Sequence, residues 1–184
     1  MPIQIETERL LLRQWKESDR EPFHRMCRDP QVMEYFPALL SRSESDERID
    51  RCKALIDEKG WGFWALEYKQ TGEFIGFTGL NTPQDDLPFS PCVEIGWRLS
   101  PAFWGKGLAI EAAQAALTFG FEQLQLEEIV SFAVKDNLKS TAVMERLGMI
   151  REPNTFEHPA LAEGHPLREH CLYRLTRIQW SSIK

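Results

Sequence analysis

The sequence predicts a mixed α/β fold in one domain over residues 1–184, on three observations. A strand-like run from Val93 to Leu99 passes through a glycine turn into a long Ala-rich helix, and a second strand-like run follows at Glu128 to Val134. Strand, helix and strand in that order imply a right-handed crossover. Ahead of it, WGFWALEY and FIGFTGL flank Gln70-Thr71-Gly72 and read as a β-hairpin. The third observation is helical spacing of apolar residues in the stretches between, the alternation of a layered α/β fold. The expected architecture is a central twisted mixed sheet of six or seven strands with helices on both faces.

Each element has its own reason. Arg9 to Trp15, with Leu10, Leu11 and Leu12, is an entry strand; Ser18-Asp19 then caps a helix with Phe23, Met26 and Cys27 on one face, closed by Asp29-Pro30. Gln31 to Leu40 contains Pro37 and no clear period, so it is irregular or a short helix. Ser43 or Ser45 caps the next helix, whose Ile49, Cys52, Leu55 and Ile56 share a face before Gly60 ends it. After the aromatic hairpin, whose Trp61, Trp64 and Tyr68 read as core, three prolines and two aspartates make Asn81 to Pro91 a loop. Gly107 to Phe121 is rich in Ala and Leu, a largely buried helix, and Glu128 to Val134 is a buried strand. Asp136-Asn137 caps a helix through Val143, Met144 and Leu147; Gly148 ends it before Met149-Ile150. Pro153 to Pro166 is a loop, and Cys171 to Ile178 is the last strand.

Composition narrows the function classes. Hydrophobic content of 42% and charged content of 27% are those of a soluble globular protein. A net charge of −6 without a Lys or Arg block argues against nucleic acid or an anionic membrane as partner, and suits a basic acceptor. Cys27, Cys52, Cys92 and Cys171 show no C-x-x-C and no His pair at ligand spacing, so neither a metal site nor a redox pair is expected. Scattered thiols suit a reducing cytoplasm, and no apolar run approaches the ~20 residues of a membrane span. The N-terminal MPIQIETERL lacks a basic region followed by an apolar core, so the chain reads as cytoplasmic.

The chemistry centres on EIGWRLSPAFWGKGLAIE, Glu94 to Glu111. A strand that turns through glycines into a helix presents free backbone N–H groups and the positive end of the helix dipole, which attract phosphate. A P-loop needs G-x-x-x-x-G-K-[ST], and Gly107 follows Gly105-Lys106, leaving no hydroxyl for magnesium. A dinucleotide fingerprint needs a small residue where Ile110 stands; Glu127 or Glu128 lies at the distance of a ribose-binding acid, so that reading stays as a runner-up. The plain alternative is a turn before a core helix.

The segment WRLSPAFWGKGLAIEA resembles the acyl-CoA-binding motif of the GNAT N-acetyltransferase superfamily, in which Gln or Arg, two residues and Gly are followed by one residue and Gly or Ala. The register falls on Gly107 and Ala109, with Trp104 where the Gln or Arg would stand. The opening ETERLLLRQW, the central GFTGL, the segment KDNLKSTAVMERLGM and the ending YRLTRIQW are similar to the RimJ/RimL-type, ribosomal-protein N-acetyltransferase subgroup, over nearly the whole chain. The resemblance implies a GNAT-like fold and acetyl-CoA as acetyl donor, without a metal. It implies pyrophosphate on the N–H groups of Gly105, Lys106, Gly107, Leu108 and Ala109, and pantetheine along the backbone of Trp97, Arg98 and Leu99.

Direct transfer to an amine requires removal of the ammonium proton, stabilisation of a tetrahedral oxyanion and a proton for the thiolate. Glu94 is the candidate base, on the strand face opposite Val93 and Ile95; its alternative is a structural carboxylate satisfied by an Arg. A backbone N–H near Ile95 or Gly96 is the candidate oxyanion donor. Asn137 and Ser140 resemble the subgroup's Asn-x-x-Ser feature, which implies an amide on the pantetheine and a hydroxyl near the sulfur; Asn137 also reads as a plain N-cap. Ser140 is the candidate acid, with Tyr173 behind it. Cys92 has no neighbour to activate it.

His24, His158, His165 and His170 read as scattered surface or loop residues. The expected activity is acetyl transfer from acetyl-CoA to a primary amine such as a protein N-terminus, a lysine or a small amine. A CoA-binding regulator without turnover and a nucleotide-binding enzyme stand as alternatives. The expected partner is that amine, peptide or small molecule, with no nucleic acid or membrane; a homodimer is compatible. Acceptor choice falls to Leu39 to Ser45, Asn81 to Pro91 and Pro153 to Pro166.

Overall fold

A computed structural model describes residues 1–184, with nine strands and five α-helices in a mixed α/β arrangement. Six strands have four residues or more, and the other three have two each, so the six or seven expected correspond to the long ones. Backbone packing divides the chain into two compact units, residues 1–80 with 96–115 and residues 81–95 with 116–184. The boundaries fall after Leu80, Ile95 and Ala115.

The first unit holds β1 (Ile5–Glu6), β2 (Leu10–Arg13), α1 (Arg20–Arg28), α2 (Arg42–Lys59), β3 (Phe63–Tyr68) and β4 (Glu73–Asn81), with the end of β5 (Glu94–Leu99) and most of α3 (Leu108–Thr118). Its strands run in the order β1-β2-β3-β4-β5, antiparallel from β1 to β4. The alternation of β2 places Leu10 and Leu12 in the core, where Ile49 and Ile56 of α2 and Trp64 of β3 join them, all fully buried. Trp64 is core, as expected, and its indole N–H donates to the Ile3 carbonyl at 2.9 Å; Trp61 and Tyr68 stay partly exposed.

Two caps in this unit differ from expectation. The chain enters α1 through a 3₁₀ turn at Glu17–Asp19, and the Asp19 carboxylate serves the Lys16 N–H and the buried Arg13 guanidinium, at 2.8 Å each, instead of capping. A buried Arg needs a carboxylate more than a helix end near solvent needs a cap. Helix α2 is capped by Ser41, not by Ser43 or Ser45. Its hydroxyl accepts the Glu44 N–H while the Glu44 carboxylate accepts the Ser41 N–H, a reciprocal capping box that neither later serine has a partner to make. Gly60 closes α2 with φ +84°, as expected. Gln31 to Leu40 forms turns.

The second unit holds the start of β5, the end of α3, β6 (Glu128–Val134), α4 (Leu138–Arg146), β7 (Ile150–Arg151), β8 (Phe156–Glu157), β9 (Glu169–Thr176) and α5 (Arg177–Ile183). The order is β5-β6-β9-β7, with β8 also on β9. Strands β5 and β6 are parallel, paired at Glu94 and Val130, and β9 runs antiparallel to its neighbours. The sheet is therefore mixed.

Helix α3 stops at Thr118 and continues as a π-helical turn over Phe119–Gln123, past the expected end at Phe121. The last strand is as long as expected but starts and ends two residues earlier, running from Glu169 to Thr176. Thr176 accepts the Gln179 N–H and Gln179 accepts the Thr176 N–H, so Arg177 and Ile178 start α5. No helix is long and apolar enough to cross a membrane.

Candidate active site

In the first unit, β5 ends at Leu99 and the chain crosses a 3₁₀ turn at Pro101–Phe103 before reaching α3. Gly105 and Gly107 both have left-handed backbones, φ +71° and +74°. A Cβ at Gly105 would meet nothing within 4 Å, so glycine is required there by the backbone angle and not by crowding. Left-handed glycines alternating with an ordinary residue just before a helix start are the backbone pattern from which anion-binding nests are built. Lys106, Leu108 and Ala109 belong to the same turn and first helical residues.

The turn is braced from the other end of the chain. Arg9 donates to the Lys106 carbonyl at 2.8 Å and to Glu111 in the first turn of α3 at 2.6 Å, while the Thr7 hydroxyl and Arg9 N–H donate to the second Glu111 oxygen at 2.6 and 2.8 Å. Together these bonds hold the Glu111 carboxyl below the usual range against the cost of its burial. Arg9 Nη2 lies 3.6 Å from where a Gly107 Cβ would stand. Thr7, Arg9 and Glu111 carry no local signal in the sequence.

Trp104 folds back on β5: its indole N–H donates to the Leu99 carbonyl at 2.8 Å, fastening the turn to the strand it leaves. The Arg98 carbonyl faces β4, since a Cβ on Gly76 would come within 2.1 Å of it. By strand alternation, the Trp97 and Leu99 peptides face the other edge. The Arg98 side chain, 9% exposed, lies between aromatic rings, its guanidinium carbon 4.1 Å from the Phe36 centroid and 5.3 Å from that of Phe77, and it donates to Cys27 Sγ at 3.9 Å. Burial lowers its pKa to about 10, so it remains a cation at neutral pH.

In the second unit, Glu94 begins β5 beside Val130. One of its oxygens accepts from Asn81 Nδ2 at 2.9 Å. Burial pushes the carboxyl up to about 7, assisted by the negative charge of Asp85 and opposed by the Asn81 bond. A carboxylate that titrates near neutrality can take a proton and release it at the pH of the cell. Next to it, burial also raises the Cys92 thiol, which keeps it protonated and a poor nucleophile.

Asn137 caps α4, its Oδ1 accepting the Ser140 N–H at 3.2 Å; the Asn137 amide NH₂ and the half-buried Ser140 hydroxyl are not used by that cap. Tyr173 is fully buried and donates to Glu145 at 2.9 Å; burial raises its pKa first, and the Glu145 bond adds to the rise. Tyr173 pairs with Ser131, one residue along from the Val130 that flanks Glu94, so it lies on the opposite sheet face from Glu94.

The histidines are not all scattered. His158 and His170 meet with ring centroids 5.0 Å apart, because β8 pairs with β9 and brings the loop after Phe156 back over His170. This proximity arises from strand pairing across the 153–166 segment, which no local spacing encodes. His165 remains a loop residue; His24 lies in α1, 3.3 Å from the Ser45 hydroxyl.

Residues 9–150 match the family model described as an acetyltransferase (GNAT) domain. Among curated relatives, the uncharacterized protein YkkB of Bacillus subtilis is 34% identical over 78% of this chain and 83% of its own length. The FsC-acetyl coenzyme A-N(2)-transacetylase of Aspergillus fumigatus is 30% identical over 96% of this chain and 77% of its own. Among solved structures, a GNAT-family acetyltransferase from Bacillus anthracis superposes with a TM-score of 0.79 at 25% identity, covering 96% of this chain and 99% of that one.

Proposed function

The chain belongs to the GNAT acetyltransferase family and is an acetyl-CoA-dependent N-acetyltransferase; from that premise we propose that it acetylates a primary amine by direct attack on the thioester, with Glu94 as general base. The acceptor class is a protein N-terminus, a lysine or a small amine. Likeness to the RimJ/RimL-type subgroup rests on the four sequence segments named above. The cytoplasm is the proposed compartment, in keeping with four free thiols, and residues 1–184 are proposed to work as one acetyltransferase domain.

The residues fit the donor. The glycine turn offers the amides of Gly105, Lys106, Gly107, Leu108 and Ala109 to a pyrophosphate, with the α3 dipole and Arg9 adding positive potential. Pantetheine amides pair along β5 with the Trp97 peptide and the Leu99 N–H, the Leu99 carbonyl being held by Trp104. Arg98 contributes through its buried side chain, which fixes the strand. The Asn137 NH₂ is the amide offered to pantetheine, and Ser140 supplies the hydroxyl near the sulfur.

In the reaction, Glu94 removes a proton from the ammonium, and the freed nitrogen attacks the carbonyl carbon. A backbone N–H at Ile95 or Gly96 stabilises the oxyanion. The C–S bond then breaks: Ser140 passes its proton to the departing thiolate and regains one from the –NH2+– nitrogen of the intermediate, so that CoA leaves as the thiol and the amide forms neutral. The observation that carries this reading is the carboxyl of the half-buried Glu94, held by Asn81 and raised by desolvation to about 7.

The test is the pH dependence of kcat/KM, followed by thiol release. The wild type gains activity as pH rises through about 7, and Glu94→Gln loses that limb. An unchanged profile in the variant removes Glu94 as base.

A further inference from the structure

We infer that Phe89, Phe132, Phe156, His158 and His170 form the acceptor-recognition surface of this enzyme, and that it selects a primary amine carrying an aromatic ring. The inference rests on the acetyl-transfer reading above and names the substrate class for the same site.

The register places these groups on one sheet face. Glu94 of β5 lies beside Val130 of β6. Phe132 and Val134 follow at alternate positions on the same face, Val134 opposes His170 of β9, and His170 opposes Phe156 of β8. Carboxylate, phenyl, imidazole and phenyl are thus aligned across four neighbouring strands. The loop before β5 brings Phe89 to 5.7 Å from Phe132 and 5.0 Å from Phe156. The loop after β8 brings His158 to 5.9 Å from Phe132.

All five rings are only partly buried, although they touch one another. A set of rings serving only as core would be covered like Trp64 and Tyr173, which are fully buried. A half-open aromatic cluster is instead a surface on which another flat group can stack or meet edges at 4.5–7 Å between centroids.

The charges suit an ammonium. Asp85 acts electrostatically on the Glu94 carboxyl and sits 3.9 Å from His158 Nε2. His158 Nδ1 accepts the Ala160 N–H, so its proton is on Nε2, facing Asp85; His170 Nδ1 donates to the Arg168 carbonyl. Burial keeps both imidazoles below the usual range, so neither repels a cation at neutral pH. Arg174, whose guanidinium carbon is 5.9 Å from Phe89, is already paired with Glu128 and Glu152 at 2.8 and 3.1 Å. The ammonium meets Asp85 and ring faces, and its carbon skeleton covers the phenyls. The proton goes to Glu94, the nitrogen forms the amide bond, and CoA leaves as the thiol.

The experiment measures thiol release from acetyl-CoA with phenethylamine, tryptamine and a peptide with N-terminal Phe, against butylamine, putrescine and the matching peptide with N-terminal Gly. The aromatic acceptors are expected to have kcat/KM about 10-fold higher than their matched partners, the worth of one aromatic contact plus its buried area. The peptide and small-amine arms show which source carries the ring. Phe132→Ala should lower the ratio of aromatic to aliphatic kcat/KM about 10-fold, through KM, with the Kd for acetyl-CoA as in the wild type. Phe89→Leu, a loop variant that keeps apolar volume, should lower the same ratio if Phe132→Ala fails to fold. Equal kcat/KM for both classes, or equal losses in the variants, overturns the assignment while leaving the transferase reading intact. No thiol release with any amine overturns both.

Discussion

The glycine turn and the Glu94 face are built on opposite principles. The turn is made of backbone: what it offers is N–H groups, and its side chains matter chiefly where they are absent, at Gly105 and Gly107 with φ +71° and +74°. The Glu94 face is made of side chains from β5, β6, β8, β9 and two loops, and its chemistry is set by burial. A backbone site can be lost by one added methyl group but is hard to retune. A side-chain site changes its pKa and its preference with each neighbour.

The largest expected effect separates chemistry from folding on the Glu94 face. Glu94→Gln should lower kcat about 100-fold, the usual size of a lost general base, with acetyl-CoA affinity kept. The same variant should gain stability at alkaline pH. The folded carboxyl titrates at about 7 against an unfolded value near 4.5, so its contribution is fully present below about pH 4.5 and is lost as pH rises through 7. Thermal melts at pH 5 and pH 8 check this. A Tm difference between variant and wild type that does not grow with pH contradicts the burial argument.

Next in size is the turn. Gly107→Val places a β-branched residue at φ +74°, which the chain can relieve only by reorienting the peptides. Acetyl-CoA should bind about 10- to 100-fold more weakly by calorimetry, the loss of one or two hydrogen bonds to a charged group, with the far-UV spectrum unchanged. Wild-type affinity removes the pyrophosphate assignment.

Asn81→Ala retunes without removing. The Asn81 bond lowers the Glu94 pKa, so its loss should move the midpoint of the kcat/KM profile upward by up to about one pH unit. A downward shift would mean that Asn81 stabilises the neutral acid. Arg9→Ala is the mildest. Arg9 has 40% of its side chain exposed, so its ion pair with Glu111 is worth at most about 1 kcal/mol. A two- to fivefold rise in the Kd for acetyl-CoA is expected; no change would confine Arg9 to bracing Glu111.

The two regions also differ in how far they were legible beforehand. Gly105, Lys106 and Gly107 could be read from five consecutive letters, because left-handed backbone and helix start are local properties. Glu94 could be placed on the face opposite Val93 and Ile95 by alternation alone. Nothing in the sequence marked Asn81, thirteen residues away, as its partner. The histidines show the same gap, since His158 and His170 meet only through β8 on β9. Even short-range expectations fail when neighbours compete: Ser41 outcompeted Ser43 and Ser45 because Glu44 answers it, and Thr176 ended β9 because Gln179 does.

The sequence by itself determined the mixed α/β order of elements, the glycine turn and the family, all properties of residues within a few positions of one another. Only the tertiary structure decided the working state of Glu94, the brace from Thr7 and Arg9 to Glu111, and the ring surface from Phe89 to His170. The physical reason is range. Backbone angles and caps answer to adjacent residues, whereas desolvation and cross-strand contact depend on groups that only folding brings together.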